Sequence, residues 1–121
     1  MKVAISAQGG DMDALVDPRF GRARWLIFAD TDGDDWQAHD NNDNVNASGG
    51  AGIQAGTTAA EHGAKAVITG NVGPNAHRVL AAAGIAIYQA GNGMSVRDAL
   101  AALRSGALAT VAAPTVQGHW S

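Results

Sequence analysis

The chain has 121 residues, a formal net charge of −3, 46% hydrophobic and 16% charged residues, 16 glycines and no cysteine. That length fits one domain, and that apolar fraction is enough to bury a core. The missing cysteine excludes disulfides, thiolate-ligated iron–sulfur or zinc centres and a cysteine nucleophile, and the acidic balance argues against nucleic-acid binding.

The N-terminal residues 3–7 form a short apolar run closed by Gly9-Gly10, the pattern of a buried strand. That run is too short for a signal peptide, and no apolar stretch approaches a membrane span. A cytoplasmic protein without membrane contact is expected. Residues 8–24 read as a long loop. A second apolar run covers 25–29, and Asp32-Gly33 behind it signals a hairpin to a weaker strand at 36–40. The Asn-, Asp-, Ser- and Gly-rich stretch 41–52 reads as a loop. Beyond it the pattern alternates: helix 53–62, strand 66–69, helix 74–83, strand 85–88, helix 95–104. Ser95 with Asp98 resembles a capping box at the last helix start. Residues 107–121 are expected to be an irregular tail.

A meander followed by right-handed crossovers predicts one α/β domain over residues 1–121, with a five-stranded mixed sheet of order 3-2-1-4-5. Strands 1 and 4 are then parallel neighbours whose connections leave in opposite directions. Such a switch point is where α/β sheets tend to bind ligands. The loops at that edge are 8–24, 70–74 and 90–94.

Two of these loops carry chemistry suited to an anion. Asp17-Pro18-Arg19-Phe20-Gly21-Arg22-Ala23-Arg24 places three of the eight basic residues within six positions. Arg19 and Arg22 offer guanidinium donors, or else pair with Asp11, Asp13 and Asp17. Phe20 either covers a ligand or plugs the core. Gly70-Asn71-Val72-Gly73-Pro74-Asn75-Ala76-His77 opens a helix with proline at its first position, and such a terminus presents free N–H groups and partial positive charge. His77 can face the same site or simply solvent. Gly50-Ala51-Gly52-Ile53-Gln54-Ala55 matches a dinucleotide fingerprint, but it follows an Asn-rich loop instead of a first strand, so it is read as a glycine-rich helix start. No nucleophile elbow, H-E-x-x-H pair or set of carboxylates on central strands is present, which argues against a hydrolase or nuclease.

Taken together, residues 3–6, the Arg-Phe-Gly core of 17–22, the segment 49–54, Gly-Asn-Val-Gly-Pro-Asn within 66–76, and residues 84–88 resemble the dinitrogenase iron–molybdenum cofactor biosynthesis family, the NifX and NifB C-terminal-like domains. The resemblance implies a ribonuclease H-like fold and a non-enzymatic protein that binds, carries or senses a metal–sulfur cluster. Through its likeness to one small cytoplasmic member, it further implies an anionic molybdenum–copper sulfide cluster held without covalent ligands. It therefore implies a cofactor site at Arg19, Phe20, Gly21, Arg22, Asn71, Val72, Gly73, Pro74, Asn75, His77 and Met94, with Phe20, Val72 and Met94 as apolar wall. The partner it implies is a cofactor-accepting or assembly protein. Two alternatives use the same pocket: an iron–molybdenum cofactor carrier or assembly chaperone, and a small-anion-binding enzyme. The lack of cysteine departs from many family members and disfavours direct iron ligation.

Overall fold

The computed structural model describes residues 1–42 and 50–116. Gly49 and the terminal His119-Trp120 lie outside the described residues. The elements in chain order are β1 (Lys2–Ala7), β2 (Trp25–Asp30), β3 (Trp36–Asp40), α1 (Ala51–Glu61), β4 (Ala66–Thr69), α2 (Pro74–Ala82), β5 (Ala86–Gln89), α3 (Val96–Arg104) and β6 (Ala109–Thr110). They form one six-stranded mixed sheet of order β3-β2-β1-β4-β5-β6.

β1 is buried from Val3 through Ala7 because it is central, pairing antiparallel with β2 and parallel with β4. β4 is wholly buried for the same reason, and a strand covered on both faces needs an unbroken apolar run such as Ala66-Val67-Ile68. β3, at the edge, keeps mostly exposed side chains. The sixth strand corrects the expected five. Ala109 and Thr110 pair antiparallel with Gln89 and Tyr88, inside the segment expected to be irregular. Two exposed residues carry no periodic signal, and only the free edge of β5 recruits them.

The alternation of side chains divides the core into two layers. Val3, Ile5, Ile27, Ala29, Ala66 and Ile68 pack under Val96, Ala99 and Leu100 of α3. Ala4, Leu26, Phe28 and Val67 pack under Ala55 and Ala59 of α1 and Ala76 and Leu80 of α2. Helices α1 and α2 lie close because Gly56 faces Val79, whose Cγ1 would sit 2.8 Å from any Cβ added there. Ser95 caps α3, its hydroxyl accepting from the Asp98 N–H at 3.0 Å, as the capping pattern predicts. Among the described residues no helix is long and apolar enough to cross a membrane.

Candidate anion site at the carboxyl edge of the sheet

β1, β4 and β5 run parallel, so their connections emerge at one edge. α2 and α3 follow β4 and β5 there. α1 precedes β4 and therefore starts at that edge too; its last turn reaches the opposite one, where Lys2 Nζ donates to the His62 carbonyl at 2.8 Å. Three helix N-termini, each bearing partial positive charge, thus point to one side of the sheet.

Loop 8–24 is bound down across this edge. Val16 N–H donates to Met94 O at 2.9 Å, and Asp17 N–H to Ser6 O at 2.8 Å. Ser6 Oγ lies 2.8 Å from Asp17 O and 2.7 Å from Thr69 Oγ1. Arg19 forms a parallel bridge with Asn71, and Phe20 N–H donates to Asn71 O at 3.3 Å. The two loops singled out from the sequence therefore meet. Ser6 and Thr69 are the fasteners that sequence reasoning missed. Their signal was available: each is the polar residue near the end of an apolar central strand.

The predicted residues divide by role. Arg19 is exposed, its Nε 3.9 Å from the Asp17 carboxylate, a long pair that leaves donors turned to solvent. Arg22, Asn71, Pro74, Asn75 and His77 are half-buried, while Gly21 and Gly73 are buried. Asn75 Oδ1 accepts from Arg78. Arg24 is committed elsewhere, pairing with Asp40 at 3.3 Å and lying over the Trp25 ring.

The expected apolar wall does not form. Phe20 is 0% and Val72 1% exposed, both in the core layer beneath α1 and α2. Met94 packs against the other layer, on the α3 face. In an α/β sandwich the two faces are separated by the sheet itself, so these three side chains share no surface. Phe20 takes the plug role, and the outward surface is polar.

That surface includes an open depression of about 410 Å³ lined by Gly70, Asn71, Gln89, Ala90, Gly91, Asn92 and Ala109, none of them charged. Gln89 Nε2 donates to Gly70 O at 2.9 Å and braces its floor. Thr115 ties the chain's later segment to the same loop: its N–H donates to Val72 O, and its hydroxyl accepts from Val72 N–H, both at 2.9 Å. Gln89 and Thr115 carried no signal, since their role depends on where β5 and β6 end. Two other depressions, of about 240 and 390 Å³, flank Trp36 at the opposite edge. Both carry charges of both signs, Asp34, Asp35, Arg97 and Arg104 in one and Lys2, Asp30 and Asp35 in the other, so carboxylates offset the cations there. Among the described residues no group of three His, Asp or Glu side chains could hold a metal ion.

Asp17 is 7% exposed beneath this site. Burial pushes its carboxyl above the ordinary carboxylate value; the Arg19 N–H, donating to Oδ1 at 2.8 Å, and the Arg19 charge pull the other way. A carboxyl raised in the folded state contributes stability that is complete below its unfolded value of 3.8 and is lost as pH rises through the folded value. Asp17→Asn keeps the acceptor for Arg19 and removes the titration. Relative to wild type, its urea midpoint should therefore climb as pH rises from about 4 through the raised folded value. A difference independent of pH would refute this reading.

A profile of the dinitrogenase iron-molybdenum cofactor family matches residues 1–106. Among solved structures, the apo form of the orange protein from Desulfovibrio gigas is similar at 38% identity and a TM-score of 0.91, over 95% of this chain and 96% of that one. An NMR structure of a NifB-type protein of the DUF35 family from Thermotoga is similar at 31% identity and a TM-score of 0.83, over 95% and 97% of the two chains. No curated protein gives a significant match. The fold, the paired loops and the match over 106 residues agree: the chain belongs to the dinitrogenase iron-molybdenum cofactor family.

Proposed function

We propose that this protein is a non-enzymatic carrier of an anionic metal–sulfide cluster, of the molybdenum–copper type, held without covalent bonds at the carboxyl edge of β1 and β4. The observation that carries the reading is the junction of Arg19 with Asn71, which joins a cationic loop to the N-terminus of α2. A preformed sulfide cluster brings its own sulfur. It needs N–H donors and positive charge, not thiolates, and this chain has no cysteine to offer. Arg19, Arg22, the Asn71 and Asn75 side-chain amides and the N–H groups at the start of α2 are the donors, while the Gly70 and Val72 N–H groups are given to Asp17 O and Thr115 Oγ1. Similarity to the orange protein over 95% of the chain supports the same reading.

The ribonuclease H-like description of the fold belongs to this proposal. It is supported by an antiparallel β1-β2-β3 meander continued by parallel β4 and β5. So does a cytoplasmic location, with a cofactor-accepting or assembly protein as partner.

Apo-protein incubated with tetrathiomolybdate and copper should acquire a visible chromophore that survives desalting, with molybdenum and copper in fixed ratio to protein. Loss of all colour on desalting would refute the proposal. Arg19→Ala should weaken retention about tenfold or more, because a charge-assisted hydrogen bond contributes about 1.5–3 kcal/mol. Its stability should change by less than about 0.5 kcal/mol, since the side chain is exposed. Retention equal to wild type would remove Arg19 from the site.

A further inference from the structure

On the α1 side of the sheet two histidines meet at the β3 edge. His39 stands on β3 opposite Leu26 of β2, and His62 is the C-cap residue of α1. Both are half-buried. Their ring centroids lie 5.2 Å apart with planes inclined by 66°. We propose that His39 and His62 bind one borderline divalent transition-metal ion (Cu²⁺, Ni²⁺ or Zn²⁺), with water completing its coordination.

The tautomer of His62 is settled by its partner. Its Nδ1 lies 2.9 Å from the Thr58 carbonyl oxygen, and a carbonyl can only accept. In the neutral ring Nδ1 therefore carries the hydrogen, and Nε2 keeps its lone pair. An imidazole that donates one nitrogen to a backbone carbonyl while offering the other is oriented as metal-bound histidines are. The ring is also held flat: it stacks on Phe28 at 4.4 Å and 14°, and Phe28 is 3% exposed. His62 is thus a positioned donor on a rigid platform.

His39 completes the pair at a suitable separation. Two imidazoles bound to one tetrahedral ion through ~2.0–2.1 Å bonds have ring centres about 5 Å apart. Neutral imidazole nitrogen selects copper, nickel and zinc over magnesium and calcium. Two protein ligands and an open side describe an exchangeable site, one that fastens the edge strand β3 to the end of α1. A plain edge-to-face ring contact shares the 5.2 Å spacing but binds no metal. This inference does not rest on the cluster reading, since the residues and the ligand both differ.

The test titrates the purified full chain with Cu²⁺, Ni²⁺, Zn²⁺ and Mg²⁺ separately, without molybdenum or sulfide. Imidazole nitrogen NMR is followed for the diamagnetic Zn²⁺ arm. Saturable one-to-one binding is expected, with Cu²⁺ tighter than Ni²⁺ or Zn²⁺ and no response to Mg²⁺. Zn²⁺ should move the Nε2 resonance of His62 and leave its Nδ1 hydrogen in place, with the His39 ring responding in step. His39→Ala, on an exposed edge strand, should remain folded by circular dichroism and bind at least tenfold more weakly; His62→Gln should do the same. Unmoved His39 and His62 resonances at saturating Zn²⁺, binding centred on the other two histidines, or wild-type affinity in a folded His39→Ala protein would each overturn the proposal.

Discussion

Phe20→Ala is expected to destabilise the protein by about 3–5 kcal/mol, the largest loss of any single truncation in loop 8–24. The ring is 0% exposed and sits in the layer with Leu26, Val67, Val72 and Leu80. Removing it leaves a cavity among elements already tied together, so the site can collapse only in part. Urea unfolding measures the loss directly. Phe20→Leu keeps most of the volume and should cost well under half as much. The neighbouring Arg19→Ala supplies the contrast, since it lies one residue away, is exposed, and should leave stability nearly untouched. If Phe20→Ala unfolded at the wild-type midpoint, Phe20 would not be the residue that docks this loop. Because Phe20 N–H also meets Asn71 O, undocking should release the loop from α2 and abolish cluster retention as well.

Gly70→Val is expected to separate the two loops by steric force alone. A Cβ at Gly70 would stand 2.6 Å from Pro18 Cα, 3.2 Å from Pro18 O and 3.3 Å from Pro18 C. All three contacts are backbone, with no flexible side chain to swing aside. Overpacking of this kind destabilises by about 1–3 kcal/mol. The binding effect should exceed what the stability loss accounts for, because the Gly70 N–H also reaches Asp17 O at 3.4 Å and the residue lines the depression. The checks are urea unfolding and chromophore retention at a temperature where the variant remains folded. Gly70→Ala should show a smaller change in the same direction. Wild-type retention in either variant would mean that the approach of Pro18 to β4 is not needed for binding.

Much of the architecture was legible because it is local. The apolar runs at 3–7, 25–29 and 66–69 became strands at nearly those bounds, since a central strand needs both faces apolar. Gly63, Gly84 and Gly106 end the three helices with φ of +78°, +73° and +75°. Ser95 and Asp98 form the cap that their spacing announces. The strand order 3-2-1-4-5 followed from the alternation of elements and the handedness of crossovers. With that order came the edge on which loops 8–24, 70–74 and 90–94 meet.

The candidate site was legible in its address but not in its surface. Arg19 and Asn71 were singled out and do come together. The sequence allows Phe20 two roles and groups Met94 with it, although the sheet lies between them. Which face a loop side chain takes depends on how the loop crosses the sheet, and no periodicity reports that. Asp17, in a loop by its Asp-Pro pair, is buried because Ser6 and Thr69 hold its backbone against the strand ends.

The sequence by itself determined the class of fold, the edge where the two candidate loops meet, the absence of thiolate ligands and the family. These follow from short-range patterns and from composition, which survive without knowledge of distant contacts. Only the tertiary structure decided that Phe20 and Val72 are core, that Ala109–Thr110 is a sixth strand, that Thr115 ties down the α2 loop, and that His39 meets His62. Each of those depends on contacts between residues far apart in the chain. A side chain's burial and partners are set by what the fold brings against it, not by its neighbours in sequence.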